Sequence, residues 1–243
     1  MMILAIESAS LTASVALTEG GRILSECTAH DGRTHSETLL PMISECFRMT
    51  GRKVSEIDAL AVSMGPGSFT GLRIGASTAK GLAFALDKPV IPVPTLDAAA
   101  YHFFGSEYLL VPILDARRGE VYTGLYEFRD GEFVIHEEAS AKPLQEQMER
   151  AAQLGALLGK KALFLGDGLI VHEETIRKNM PEAVIAPLHM KIQRASGAAA
   201  LGEKLFREGH SVSALEFLPL YLRESQAEQD RRRRGLPVPE VEL

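Results

Sequence analysis

The sequence predicts an α/β chain in which one unit is used twice, giving two lobes that each hold a mixed sheet flanked by helices. Two observations carry that prediction. Short apolar runs of strand length alternate with stretches of helical period along most of the chain. The opening order, three strands before any helix, starts again near residue 109 with negligible identity between the halves, so the repeat rests on element order.

The elements follow in turn. "MILAIES" is a short β-capable run, and "LTASVALTEGGRILSECTA" reads as two strands joined at Gly20-Gly21, where glycine supplies the positive φ of a tight hairpin. Thr34 and Glu37 have capping-box spacing, Leu39, Leu40, Ile43 and Phe47 follow at helical period, and Gly51 is placed to end that helix. "IDALAVSM" is a buried strand. The Gly-rich stretch "SMGPGSFTGLRIG" leads from it into a helix ending about Leu86. "PVIPV" is a further strand, and "TLDAAAYHFF" a helix capped by Thr95.

The second half repeats the scheme. "LLVPILDARRGEVYTGLYEFRDGEFVIHEEA" holds three strands, the last two joined at Asp130-Gly131. A helix over 143–158, a strand "ALFLG", a helix after His172 and another over 195–208 complete it. Laid over the first half, Asp115 falls on Glu7. This duplicated layout is that of the actin-like, sugar-kinase and Hsp70 ATPase (ASKHA) fold, in which two lobes face each other across a cleft. The lobes are set at 1–104 and 105–226, with the helix near 195–208 packing back toward the first lobe. The segment 227–243, "AEQDRRRRGLPVPEVEL", loses apolar periodicity and is expected to be a flexible tail.

Composition narrows the function classes. Thirty-two acidic against 26 basic residues give a net charge of −6, which argues against wholesale nucleic-acid binding. Two cysteines, Cys27 and Cys46, are too few for a disulfide scaffold or a metal knuckle. No basic leader precedes the first strand, and no apolar run reaches the ~20 residues that span a bilayer. A cytoplasmic location is expected.

The site-like features are weak as catalytic signatures. ATPases of this fold place an acid and then a glycine at the first strand turn, so that backbone N–H groups can approach phosphate oxygens. Here the turns read Glu7-Ser8-Ala9-Ser10 and Asp115-Ala116-Arg117-Arg118; the acids are present and the glycines are not. Glu7, Ser8 and Asp115 therefore mark a degenerate nucleotide cleft, or act as strand-end acids capping turns. The Gly-rich stretch is neither a P-loop, lacking Lys-Ser/Thr after its last glycine, nor a Gly-x-Ser-x-Gly nucleophile elbow. His30, Asp31, His35 and Glu37 cluster, but the helical partners of His35 are Thr38 and Leu39, so no metal is expected.

The Gly-rich helix instead carries Gly71, Gly75, Ala79 and Ala83 at four-residue intervals, a stripe that lets another element approach unusually close. That element is either the chain's own sheet or another chain. With Leu39, Met42, Ile43 and Cys46 on one helix and Leu72 and Ala76 on the other, apolar surface exceeds what one sheet face covers, and these residues are assigned to a partner interface.

"ILAIESASLTASVAL", "HSETLLPMI", "VSMGPGSFTGLRIGASTAKGLAFAL", "ILDARRGEVYTGLY" and "PLYLRESQAE" together resemble the bacterial TsaB (YeaZ) family, paralogues of the TsaD enzymes that make threonylcarbamoyladenosine (t6A) in tRNA. The resemblance implies a non-catalytic subunit that pairs with TsaD, is joined by the TsaE ATPase, forms a homodimer when isolated, and meets tRNA indirectly. It implies no cofactor for the chain alone, with ATP or ADP admitted only in the assembled complex. TsaD relatives carry a metal-binding His-x-x-x-His on the first helix; His35 matches its first member and Leu39 replaces the second. Where many family members begin Asp-Thr-Ser, this chain has Glu7-Ser8-Ala9. A stand-alone ATPase or phosphotransferase of the same fold is the competing expectation.

Overall fold

A computed structural model of the chain describes residues 1–223 and Arg231. The tail expected over 227–243 lies, Arg231 apart, outside the described residues.

The first sheet starts from β1 (Met2–Glu7), every residue of which is buried. β2 (Ala13–Glu19) and β3 (Arg22–Ala29) add to it antiparallel, the turn between them closed by Gly20 and Gly21 at φ 57° and 76°. α1 (His35–Thr50) follows. The Glu37 carboxylate accepts from the Thr34 N–H (3.1 Å) at its start, and Gly51 takes the left-handed conformation at its end. β4 (Ala59–Gly65) and β5 (Val90–Pro94) add in parallel on the other side of β1, with α2 (Phe69–Leu86) crossing between them. α3 (Thr95–Tyr101) leaves toward the second lobe; Pro94, not Thr95, is its cap, and the Thr95 hydroxyl accepts the Gly65 N–H at 3.1 Å.

The second sheet repeats the first. β6 (Leu109–Asp115), β7 (Glu120–Arg129) and β8 (Glu132–Pro143) form the antiparallel half. After α4 (Leu144–Leu158), β9 (Ala162–Leu165) joins β6 in parallel, and β10 (Val184–Ile185) joins β9. The orders β3-β2-β1-β4-β5 and β8-β7-β6-β9-β10 correspond strand for strand, so the chain has the duplicated actin-like architecture. α5 (Leu169–Asn179) starts ahead of His172, which is buried within it, and β10 is too short to have been legible.

Two helices cross between lobes. Leu96, Ala100 and Phe103, from α3 and the turn after it, join the second lobe's core. α6 (Ala195–Arg207) covers one face of the first sheet, setting Ala195, Ala198, Ala199 and Leu201 on Ile3, Ala5, Ala16, Ala61 and Val93. The closeness depends on Gly202, where a Cβ would come within 2.7 Å of the Ala61 Cβ.

α1 and α2 cover the opposite face, and here the interface assignment is corrected. Leu39, Ile43, Cys46, Ala76, Ala79 and Ala83 are core residues packed on Leu4, Ile6, Val15, Leu60 and Val62; Gly71, Leu72 and Gly75 are buried too, and Met42 is half-buried against the same core. The small-residue stripe faces the chain's own sheet. Glycine ahead of α2 and in the stripe admits close neighbours: a Cβ on Gly67 would lie 2.2 Å from the Ala9 carbonyl oxygen, one on Gly71 2.1 Å from that of Ser8, and one on Gly75 2.1 Å from the Ser8 Oγ. The outer faces of the two helices carry other residues. Leu40, Pro41 and Ser44 are exposed on α1, and Ser77, Gly81 and Phe84 on α2.

The two glycine environments give opposite expectations. Gly71→Ala should destabilise by about 1–3 kcal/mol, because the methyl meets backbone that cannot yield. Gly81→Ala meets open space on an exposed helix and should stabilise by about 0.5–1 kcal/mol. Urea titrations of both variants check this, and equal effects would contradict the packing described.

Candidate functional site

The turn from β1 to β2, where ATPases of this fold receive phosphate, has its donors committed internally. The Ser8 N–H donates to the Ser63 Oγ (3.2 Å), that of Ala9 to the Glu7 carboxylate (2.8 Å), and that of Thr12 to the Ser10 Oγ (3.1 Å). The Leu11 N–H donates across the lobes to the Asp167 carboxylate, at 3.0 Å. On the carbonyl side, Ala9 accepts the Ser68 N–H at 2.6 Å, and Ser10 accepts the His35 Nε2–H at 2.8 Å. The fold's nucleotide phosphates do not fit this turn as it stands, because the groups that would hold them are bonded and α2 lies on its back.

Glu7 sits below the turn, 1% exposed. Burial pushes its carboxyl up to about 7, against the pull of the Ala9 N–H and the Ser63 hydroxyl, and the Asp167 charge adds to the rise. It faces a cavity of about 10 Å³ shared with His102, Gln193 and Arg194, where the lobes meet. Ser8 is fully buried under α2, its hydroxyl donating to the Gly71 carbonyl at 3.0 Å.

Asp115 lies elsewhere, at the end of β6, on a cleft of about 570 Å³ between the lobes. The structure therefore does not gather Glu7, Ser8 and Asp115 into one nucleotide site. Asp115 accepts the Arg117 N–H at 2.9 Å, and the buried His172 Nε2 stands 3.5 Å from its Oδ1. Arg117 and Arg118 take left-handed backbone at φ 66° and 58°, costly for residues with a Cβ, and both line the cleft.

The chain after α6 straps the two lobes. Val212 bridges to Val90, Phe217 enters the first lobe's core, and the Leu220 N–H donates to the Met64 carbonyl at 2.6 Å. Tyr221 packs tilted against Phe69 (4.4 Å between centroids, 35° between planes), and the Arg73 guanidinium lies 3.9 Å from the centre of the Phe69 ring. Arg223 then reaches the second lobe, donating to the Ala116 carbonyl and pairing with Glu120.

His35 lies in the first turn of α1, where its ring is expected in solvent or at an interface; it is instead buried within the chain and ties α1 to the Ser10 carbonyl. Among the described residues no three His, Cys, Asp or Glu side chains gather as a metal site. Asp167 and Gln193 were missed by sequence reasoning. Asp167 had a signal: in the repeat, Gly166-Asp167-Gly168 after β9 answers to the Gly65–Gly67 stretch after β4, and Cβ atoms on Gly166 and Gly168 would press on the Ile113 carbonyl, 2.3 and 2.8 Å away. Gln193 had none.

The family model of TsaD, tRNA N6-adenosine threonylcarbamoyltransferase, matches residues 22–230. A Haemophilus influenzae protein named tRNA threonylcarbamoyladenosine biosynthesis protein TsaB is 34% identical over 232 residues, covering 92% of this chain and 94% of its own. A Pseudomonas aeruginosa crystal structure, described as similar to peptidase YEAZ, superposes with a TM-score of 0.76 at 31% identity, over 91% of this chain and 99% of that one. Component A of the Acidaminococcus fermentans (R)-2-hydroxyglutaryl-CoA dehydratase shares the fold alone, at TM-score 0.51 and 11% identity, over 84% and 98% of the two chains. No described helix is long and apolar enough to cross a membrane.

The buried Glu7 gives a prediction with a definite sign. Its folded pKa of about 7 lies above the ordinary 4.5, so folding favours the protonated form. The stability this supplies is full below pH 4.5 and falls as pH rises to about 7, a loss on the order of 2–3 kcal/mol. Glu7→Gln, which keeps the acceptor for Ala9 and cannot ionise, should lack this descent and be the more stable protein at pH 8. Denaturant midpoints of both proteins from pH 4 to 8 check it; parallel profiles would remove the buried-acid reading.

Proposed function

This chain belongs to the TsaB family of tRNA threonylcarbamoyladenosine biosynthesis proteins, and from that premise we propose that it is a non-catalytic, cytoplasmic subunit of the t6A-forming complex. It pairs with a TsaD-type transferase, is joined by a TsaE-type ATPase, forms a homodimer when no transferase is present, and meets tRNA through its partners. Any ATP or ADP is held by the assembled complex and not by this chain.

The observation that carries this reading is the outer surface of α1 and α2. The inner faces of both helices are spent on the first sheet, yet Phe84 is 72% exposed and Leu40 56% exposed on the outside, with the small residues Ser77 and Gly81 between the ends of α2. Large apolar side chains beside small ones form a surface into which a second helix pair can settle, and aromatic anchors supply most of the energy of such contacts. The absence of catalysis is supported from the other side of the lobe. The turn that would hold phosphate has its Ser8, Ala9, Leu11 and Thr12 N–H groups bonded within the protein, and Glu7 and Asp115 do not share a site.

Gly81→Arg tests the reading without touching the core, since Gly81 faces open space. The variant should be at least as stable as the wild type, fail to co-elute with TsaD, and lower t6A formation at least tenfold in a reaction reconstituted with TsaD, TsaE, tRNA and threonylcarbamoyl adenylate. A folded variant that sustains full modification would refute the proposal.

A further inference from the structure

We propose that Cys27 and Cys46 are a paired modification site, two thiols that a two-electron oxidant of the peroxide class closes into a disulfide between β3 and α1.

The chain has two cysteines in all, 19 positions apart, and the fold brings them together. Cys27 lies on β3, the edge strand of the first sheet, and Cys46 toward the C-terminal end of α1. The Cys46 thiol faces the Cys27 sulfur, Sγ to Sγ 3.6 Å. It also lies 3.7 Å from the carbonyl of Val15, the residue of β2 paired with Cys27. The backbone around the pair is pinned. The hydroxyls of Ser25, two positions before Cys27, and of Thr50 both donate to the Cys46 carbonyl, at 3.3 and 2.9 Å. A disulfide holds its sulfurs about 2.05 Å apart, so closure asks each sulfur to move by less than about 1 Å.

Access orders the chemistry. Cys46 is fully buried in the core that holds Ile43 and Phe47, whereas Cys27 is half-buried at the sheet edge. The oxidant therefore meets Cys27 first. Its thiolate attacks one peroxide oxygen: the S–O bond forms, the O–O bond breaks, and the hydroxide released leaves as water with the thiol's proton. The Cys46 sulfur then attacks the Cys27 sulfur from beneath. The S–S bond forms, the S–O bond breaks, and the hydroxide departs with the Cys46 proton as a second water. Two thiols lose two electrons, and one peroxide is reduced to two waters.

The surroundings set the pace. Burial, the Cys46 thiol beside it, and the charges of Glu45 and Glu26 push the Cys27 thiol above its ordinary range. Thiolate is therefore scarce at neutral pH and the first step is slow. A reducing compartment keeps the pair as thiols, and a sustained oxidant dose closes it. The bond would weld an edge strand to the inner side of α1, so the inference stands apart from the pairing proposed above.

The test treats the full chain, reduced and then freed of reductant, with hydrogen peroxide at mildly alkaline pH. Intact mass, peptide mapping and thermal melting are read. The wild type should lose the mass of two hydrogens and remain a monomer, with the Cys27 and Cys46 peptides joined. It should melt higher than the reduced protein by about 3 °C or more, and dithiothreitol should reverse both changes. Cys46→Ala, lacking the second thiol, should instead accumulate a sulfenic acid at Cys27 that dimedone labels. Cys46→Ser carries the same expectation if Cys46→Ala does not fold. Cys27→Ala should leave Cys46 unoxidised at the same dose. A folded wild type that keeps both thiols, oxidation to sulfinic acid without the link, or a dimer joined through Cys27 would overturn the proposal. So would an oxidised chain that melts below the reduced one, or ready oxidation of Cys46 in Cys27→Ala.

Discussion

The architecture of the first lobe depends on one contact, the backbone-to-backbone approach of the Gly-rich segment to the end of β1. With hydrogens in place of side chains at Gly67, Gly71 and Gly75, the start of α2 rests on the carbonyls of Ser8 and Ala9 and on the Ser8 hydroxyl. Glycine costs conformational entropy in a helix. Two of them within α2 are tolerated because α2 gains burial of Leu72, Ala76, Ala79 and Ala83 on the sheet in return. Gly-rich turns ahead of helices also cradle phosphate in other proteins, but there the glycines clear space for a ligand. Here the protein itself fills that space.

Several consequences follow from that approach. The turn after β1 is pressed from behind, so its N–H groups point to acceptors close by: Ser63, Glu7, Ser10 and, from the other lobe, Asp167. Glu7 is sealed under the turn and away from water, which explains why its carboxyl holds its proton to near neutral pH. With the inner faces of α1 and α2 fully used, the apolar side chains left outside have nothing of their own lobe to cover them. Closing the ligand side and presenting the helical side therefore have the same origin in one packing arrangement.

The sequence disclosed the elements well and their orientation poorly. Strand lengths, the Gly20-Gly21 and Asp130-Gly131 hairpins, the Thr34–Gly51 helix limits and the duplicated order were all legible, because turn chemistry and periodicity are local properties. Which face of α2 turns inward was not. A stripe of Gly and Ala at four-residue spacing is equally suited to a sheet of its own chain or to a foreign helix, and apolar composition counted the excess surface without saying where it lay. Only the distances from Gly71 and Gly75 to Ser8 decide it. Alignment of the halves put Glu7 opposite Asp115 correctly, yet burial separates them, one beneath a turn and the other on the cleft. His172 was placed ahead of a helix that in fact contains it, since nothing polar caps α5 and Gly168 serves as its start.

Bridging between lobes completes the picture of a body built to hold its shape. Enzymes of a two-lobed fold work by opening and closing on a substrate, which requires few and weak contacts across the hinge. This chain multiplies such contacts. α3 is anchored in the second core, α6 lies on the first sheet, and the Ala195 and Ser196 N–H groups donate to Ser14 and Glu26, both at 2.9 Å. The Tyr126 hydroxyl donates to Asp97 at 2.9 Å, and Arg223 ties the terminal strap to the turn at Ala116–Glu120. Each contact across the lobes raises the free energy of any opened arrangement, so the outer helices keep a fixed geometry. A surface that must meet a partner in one register benefits from that rigidity, because less ordering entropy is lost on binding. Under the proposed function, the same contacts across the lobes hold the outer faces of α1 and α2 in one geometry for the partner.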